Sequence, residues 1–400
     1  MAVPLLDAEE RLDLLDPYLY ASDPGPVYRR LRDEAPVYRD RNGLWCISRY
    51  RDVLDIEKDT ALYSSAHGSR PLLEFNVSMI NKDDPVHTRQ RKLVSARFTP
   101  GHLRRHEDLV RAAVTKLIDA IAPTGRAEVV EQLAAPLPAM IICQLIGYDA
   151  DVWPRLKWWS ETTMGNAGFL EDDPRRPYDA DAAMTDFGEE SYRLWAARRD
   201  DPKDDLMSIW ATATLDGEPM LVEEVLNEAI LLVDGGAETT LSTIGQTVLA
   251  LCQHPDQRVR LIEEPDLLRA TAIEEFIRWS SPILNMRRTV TADHERDGQA
   301  VTAGDQVLLM YASANRDERI FDQPEVFDVG RRHNHHVAFG FGTHFCLGAN
   351  LARLELRVLF EELLRRLPDF RLAPGFEPEI VPGFFTRTLK ELQIEFTPQG

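Results

Sequence analysis

The residue whose type and setting most directly promise chemistry is Cys346, in the run Phe339-Gly-Phe-Gly-Thr-His-Phe-Cys-Leu-Gly348. Gly340, Gly342 and Gly348 surround the thiol, and an amphipathic pattern follows at once, running to Leu367 before Pro368 stops it. This is a loop feeding a helix. Glycine allows backbone angles and close approaches that a side chain blocks, so such a loop can lie flat against a planar group. Cys346 then falls at a helix N-terminus, where amide donors and the positive end of the dipole favour a thiolate, the form that ligates iron. An isolated cysteine is more often an ordinary buried thiol. The number of positions that must coincide here favours a metal ligand.

A second group of residues lies in an apolar stretch, 221–254, that reads as a long buried helix interrupted by Asp234-Gly-Gly-Ala-Glu-Thr-Thr240. Gly235 and Gly236 each cost about 1 kcal/mol relative to alanine inside a helix, so a compensating reason is expected. Close passage of the backbone beside something flat is one, with a threonine hydroxyl competing for helix carbonyls and opening a small groove. Glu238 and Thr239 form an acid–alcohol pair. Taken alone, Thr239 and Thr240 would merely fill a packed helix. Asp234 is either a helix-surface residue or a polar contact for a bound molecule.

Charged residues recur at helical spacing elsewhere. Glu275 and Arg278 are three apart and able to pair on one helix face. His87 and Arg91 are four apart on a helix expected to start near Pro85. Arg288, with Arg287 as its rival, leads a strand after Ser281-Pro282. His344 stands two residues before the cysteine and is read either as a ligand contact or as a cap for the loop.

The elements that must position these groups are mostly helical. Apolar residues recur at three- and four-residue steps over 100–279, with proline and glycine marking breaks. Strand-like pieces sit at 37–48, a hairpin around Asn42-Gly43; at 288–309, short strands joined by Gly298 and Gly304; and at 389–396. The most apolar stretch, 134–146, is broken by Pro136 and Pro138 and reads as buried core rather than a membrane span. The 400 residues are 44% hydrophobic and show no linker or repeat that would divide them, so one domain over 1–400 is expected. A formal charge of −20 argues against nucleic-acid binding. The start of the chain shows neither a secretory signal nor a membrane anchor, which points to the cytoplasm. The four cysteines form no Cys-x-x-Cys pair, which disfavours zinc and disulfides.

These residues resemble the cytochrome P-450 haem-thiolate monooxygenases, whose ligand loop reads Phe-Gly-x-Gly-x-His-x-Cys-x-Gly. Every fixed position matches, and the other landmarks follow in family order over essentially the whole chain. The resemblance implies a mainly α fold with a minor β part, a triangular, helix-rich single domain with small sheets. It implies haem b (iron protoporphyrin IX) bound through Cys346, whose thiolate pushes electron density onto the iron and favours O–O cleavage. Gly235, Gly236, Phe339, Gly340 and Gly348 are then haem contacts, and His87, Arg91, Arg288 and His344 meet the propionates, which need cationic or donor partners. Thr239 holds the hydrogen-bond network around dioxygen and Glu238 relays protons from solvent. Glu275, Arg278 and Arg331 support the fold and the haem loop.

The implied reaction inserts one oxygen atom from dioxygen into an unactivated C–H bond of a bulky lipophilic molecule. The expected pocket walls are the segments 70–80, 158–170, 230–237, 283–286 and Phe384-Phe385, and the expected pocket residues within them are Leu72, Met79, Ile230, Val233, Asp234, Ala237, Ile283, Leu284, Met286 and Phe384, with Leu73, Phe75, Met164 and Phe169 beside them. Such residues are also ordinary core. The wording of the motifs looks closest to actinobacterial hydroxylases of steroids and terpenoids, and polyketide and macrolide tailoring oxidases share much of it. A catalyst that forms rings or ethers on the same fold stays open. So does a haem-binding sensor or carrier, against which Glu238 and Thr239 argue. No flavin or nicotinamide fingerprint is evident, so a ferredoxin and its reductase are the expected electron donors to a monomer. Arg89, Lys92, Arg97, Arg353 and Arg357 are expected to form a basic docking patch.

Overall fold

The computed structural model describes residues 11–71, 78–170 and 173–399. Its axis is the helix Val222–Gln253, 32 residues and so about 48 Å long. The Glu224 carboxylate accepts from the Leu221 amide at 3.0 Å, and Glu223 and Glu224 in the first turn suit the positive helix end. A helix this apolar must be covered on most sides. Pro136–Ile146, Trp153–Asn166, Ala180–Asp200, Ile273–Ser280 and Ala349–Arg366 all pack against it. Pro136 and Pro138 do not interrupt their apolar stretch: Pro136 opens the helix, where its missing N–H costs nothing, and both prolines are buried.

The largest sheet has five strands in the order Val37–Arg39, Trp45–Ile47, Gln306–Leu309, Met286–Val290, Tyr63–Ser64. The first pair is the expected hairpin, with Val37 opposite Ile47. Its turn is held by Asp40, whose carboxylate accepts from the amides of Asn42 at 2.8 Å and Leu44 at 2.9 Å. Trp45–Ile47 runs parallel to Gln306–Leu309, tying the start of the chain to its last third. The strand expected near the end, Gln393–Glu395, lies between Arg371–Leu372 and Arg126–Glu128. Arg126–Glu128 and the small hairpin Thr214–Leu215/Glu218–Pro219 fall inside the stretch whose periodicity reads as helical. The chain reverses there through residues at positive φ, Gly125 in one case and Asp216-Gly217 in the other. Among the described residues, no helix is long and apolar enough to cross a membrane.

One buried ionic joint fixes the region before the cysteine loop. Glu275 accepts from Arg278 Nε and Nη2, each at 2.8 Å, and from Arg331 Nε at 3.0 Å. Its carboxylate also takes the Asp328 amide at 3.0 Å and Asn334 Nδ2 at 3.1 Å. Glu275 and Arg278 are fully buried. A carboxylate removed from water needs its oxygens satisfied in this way.

Candidate active site

Between the central helix and the cysteine loop lies a cavity of about 440 Å³. Cys346 faces it, together with Phe339, Gly340, His344 and Gly348 from the same loop. The loop is positioned by its backbone. Cys346 N donates to Phe339 O at 2.9 Å, and Gly340 and Gly342 adopt φ of +66° and +67°. A Cβ at Gly342 would stand 2.6 Å from the Glu57 carbonyl, so the loop needs glycine for this approach. The sulfur receives the amides of Gly348 and Ala349 and feels Arg91 and Arg353, all of which favour the thiolate. Burial outweighs them and pushes the Cys346 thiol up.

Positive charge and donors gather beside the loop. The rings of His87 and His344 lie 4.1 Å apart, and Arg91 Nη2 donates to Phe345 O at 2.5 Å. Arg288 lines the cavity and Arg287 does not. The alternation of the strand Met286–Val290 explains this: Met286 and Arg288 share one face, while Arg287 turns to the carbonyls of His67 and Arg70. Burial and the nearby Arg288, His87 and Arg91 drive the His344 imidazole down to about 2. His87 Nδ1 is buried without a hydrogen-bond partner, 3.6 Å from Asp84. Such a cluster calls for an anionic group, and the acid side chains of haem fit it.

One partner had no local signal in the sequence. Glu57 accepts from Arg288 Nη2 at 2.7 Å and from the Tyr311 hydroxyl, and its Oε1 lies 3.4 Å from where a Gly340 Cβ would be. Arg288 thus brings a compensated charge to the site.

The central helix supplies the opposite wall through Gly235, Gly236, Thr239, Thr240 and Thr243. The two glycines differ. A Cβ at Gly235 would meet nothing within 4 Å, leaving room for a flat group to approach. A Cβ at Gly236 would stand 2.4 Å from Ile142 Cδ1, so this glycine answers to helix–helix packing rather than to a cofactor alone. Thr239 Oγ1 donates to Gly235 O at 2.7 Å, the competition for a helix carbonyl that the sequence suggests. Glu238 does not line the cavity. It is buried, accepts from Thr388 Oγ1 at 3.1 Å, and is raised to about 7 by burial and by the like charge of Glu161.

Of the expected pocket residues, Met79, Met164, Ile230, Asp234, Ile283 and Met286 line the cavity. Val233, Ala237, Leu284, Phe384 and Phe169 do not, although all five are buried. Phe384 is engaged through its backbone with Gly168 and Asn285, and its neighbour Phe385 takes the place on the wall. Leu72, Leu73 and Phe75 lie outside the described residues. Asp234 is no helix-surface residue. It is buried, its Oδ2 lies 3.2 Å from Arg70 Nη2, and it accepts from the Thr163 hydroxyl.

The expected basic patch is largely neutralised. Arg89 pairs with Asp216 at 2.6 Å, Arg97 with Asp204 at 2.5 Å, Arg353 with Glu274 at 2.7 Å and Arg357 with Glu107 at 2.7 Å. Among the described residues, Lys92 is the member of this set without an ion pair. The abundance of acidic side chains that gives the chain its net charge supplies the partners.

Comparison with known proteins agrees with this geometry. The family model for cytochrome P-450 matches residues 180–396. A steroid C26-monooxygenase of Mycobacterium tuberculosis is 41% identical over 97% of each chain. A linalool 8-monooxygenase of Pseudomonas putida is 35% identical over 98% of this chain and 100% of that one. Among solved structures, a Mycobacterium marinum cytochrome P-450 in complex with pseudoionone superposes with a TM-score of 0.87 at 33% identity, covering 96% of this chain and 98% of that one.

Proposed function

Since this chain belongs to the cytochrome P-450 family, we propose that it hydroxylates a bulky lipophilic small molecule of steroid or terpenoid type, drawing electrons from a ferredoxin and ferredoxin reductase. The observation that carries the reading is the meeting, in one cavity, of the Cys346 sulfur, a cluster of cations and donors, and mainly apolar walls. Relatives of this chain include a steroid C26-monooxygenase, a linalool 8-monooxygenase and a methyl-branched lipid omega-hydroxylase, all acting on lipophilic molecules by name. Haem, which the Cys346 thiolate would hold, would supply the redox centre for activating dioxygen.

The residues of the chain divide the remaining tasks. Arg91, Arg288, His87 and His344 hold the acid side chains of the cofactor, and Gly235 and Gly348 leave room beside its plane. The apolar walls orient the substrate and exclude water, which strengthens every polar interaction inside. Thr239 presents a hydroxyl to the cavity while bonded to the Gly235 carbonyl. Glu238, with a pKa near neutrality, takes up and gives away protons from behind the wall. Two protons and two electrons are consumed for each oxygen atom inserted, with the second oxygen leaving as water.

The reading also treats residues 1–400 as one unit, supported by the pairing of Trp45–Ile47 with Gln306–Leu309. It takes the chain as a cytoplasmic monomer, in keeping with its four free cysteines. The test is Thr239→Ala. The variant should keep its haem and its rate of electron uptake but divert reducing equivalents into peroxide. Unchanged product per electron would remove Thr239 from this role.

A further inference from the structure

The cavity walls are mainly apolar, yet an ion pair is set into them. Asp234 stands on the central helix directly before Gly235, and its Oδ2 lies 3.2 Å from Arg70 Nη2. The other carboxylate oxygen takes the Thr163 hydroxyl. The Arg70 guanidinium is steadied by the Phe385 ring, 5.1 Å from its centroid, and by Met164 Sδ at 3.4 Å. All five residues line the cavity. A buried ion pair is commonly no more stabilising than apolar residues of the same volume, so stability does not account for its presence in a lipophilic pocket.

We propose that Arg70 and Asp234 form the polar anchor of the pocket and hold a hydroxyl group of the otherwise lipophilic substrate. This rests on the monooxygenase reading above and names the substrate class within it. The pair is internally neutral. An ionised carboxylate or ammonium would leave one surplus charge in a low-dielectric site, which is unfavourable. A hydroxyl matches both halves: its oxygen accepts from the guanidinium and its proton is donated to the carboxylate. The carboxylate has capacity for this, since it offers about four acceptor sites and Arg70 and Thr163 are the partners it has among the described residues. A hydrocarbon of the same shape would cover the pair and desolvate it without return, which is how a polar site rejects an analogue lacking its group.

The test uses the haem-loaded protein and three probes of one skeleton: adamantane, 1-adamantanol and 1-adamantanecarboxylate. Binding is followed by the spectral change when water leaves the iron. The alcohol should bind roughly ten-fold more tightly than the hydrocarbon, and the carboxylate most weakly. Asp234→Asn leaves an uncompensated guanidinium and should move the preference to the carboxylate, whereas Arg70→Gln should erase most of the alcohol's advantage. A structural role alone would not reverse the order of ligands. The proposal is overturned if wild-type protein binds the alcohol no better than the hydrocarbon or binds none of the three. It is equally overturned if both variants keep the wild-type ratios. A wild-type protein lacking the spectrum of thiolate-ligated haem would instead sink the monooxygenase reading, so the two failures are distinguishable.

Discussion

Glu238 is a carboxyl group cut off from water, and its charge state therefore depends on pH where most carboxylates no longer titrate. Burial, reinforced by Glu161 and opposed by Thr388, raises it from the usual 4.5 to about 7. A folded-state pKa above the unfolded one means that the native protein binds more protons in this window. The associated stability is complete below about 4.5 and is lost as pH rises through about 7, a change on the order of 3 kcal/mol. Glu228, raised to about 7 chiefly by burial and bonded to the Met79 amide at 2.7 Å, adds a slope of the same sign. Urea unfolding from pH 5 to pH 8 should show declining stability, and Glu238→Gln should make the decline shallower, leaving the part that belongs to Glu228 and to the other carboxyls raised by burial, Glu161, Asp234 and Glu355 among them. An unaltered slope in the variant would show that Glu238 is not held protonated. Turnover should likewise fall above about pH 7 as the proton is lost, and Glu238→Gln should be slower and less sensitive to pH.

At the scale of elements, adjacent glycines in one helix have opposite reasons to exist, and alanine separates them. Gly236→Ala places a methyl 2.4 Å from Ile142 Cδ1. Overpacking of this kind costs about 1–3 kcal/mol, against roughly 1 kcal/mol regained from helix propensity, so melting of the haem-free protein should drop or hold level. Gly235→Ala meets no atom within 4 Å and should stabilise the haem-free protein by up to about 1 kcal/mol while weakening haem uptake. If both variants bind haem like wild type, the open face at Gly235 is not where the cofactor lies. The joint between Ile273–Ser280 and the segment before the cysteine loop is more severe. Glu275→Ala strands two buried guanidinium groups and should cost about 3–5 kcal/mol, read as loss of soluble, haem-loaded protein.

Over the whole molecule, the cations near the cysteine loop are mostly spent on internal ion pairs, and the chain carries a net charge of −20. An acidic ferredoxin meeting it is repelled more than steered. Raising salt from 50 to 200 mM shortens the range of that repulsion, so ferredoxin-driven turnover should hold or rise, and a steep fall would show that a basic patch is at work after all. The same scale explains what was legible in the sequence. The cysteine loop, its following helix and the central helix with its glycine–threonine break are written in contiguous residues whose spacing is itself the signal. Glu57 is not, and of Arg70 only its place in a wall segment is, because the two acquire their roles by meeting Arg288 and Asp234, 231 and 164 residues away. Nor does a run of apolar residues say which member faces a cavity: Phe385 rather than Phe384 reaches the wall, and Val233 turns into core, because neighbouring elements decide the facing side. The measurement that bears most directly on all of this is the spectrum of the reduced, carbon monoxide-bound protein. Wild type should show the strongly red-shifted Soret band of thiolate-ligated haem and Cys346→Ala should lack it, whereas the same band in that variant, or its absence from wild type, would contradict ligation by this sulfur.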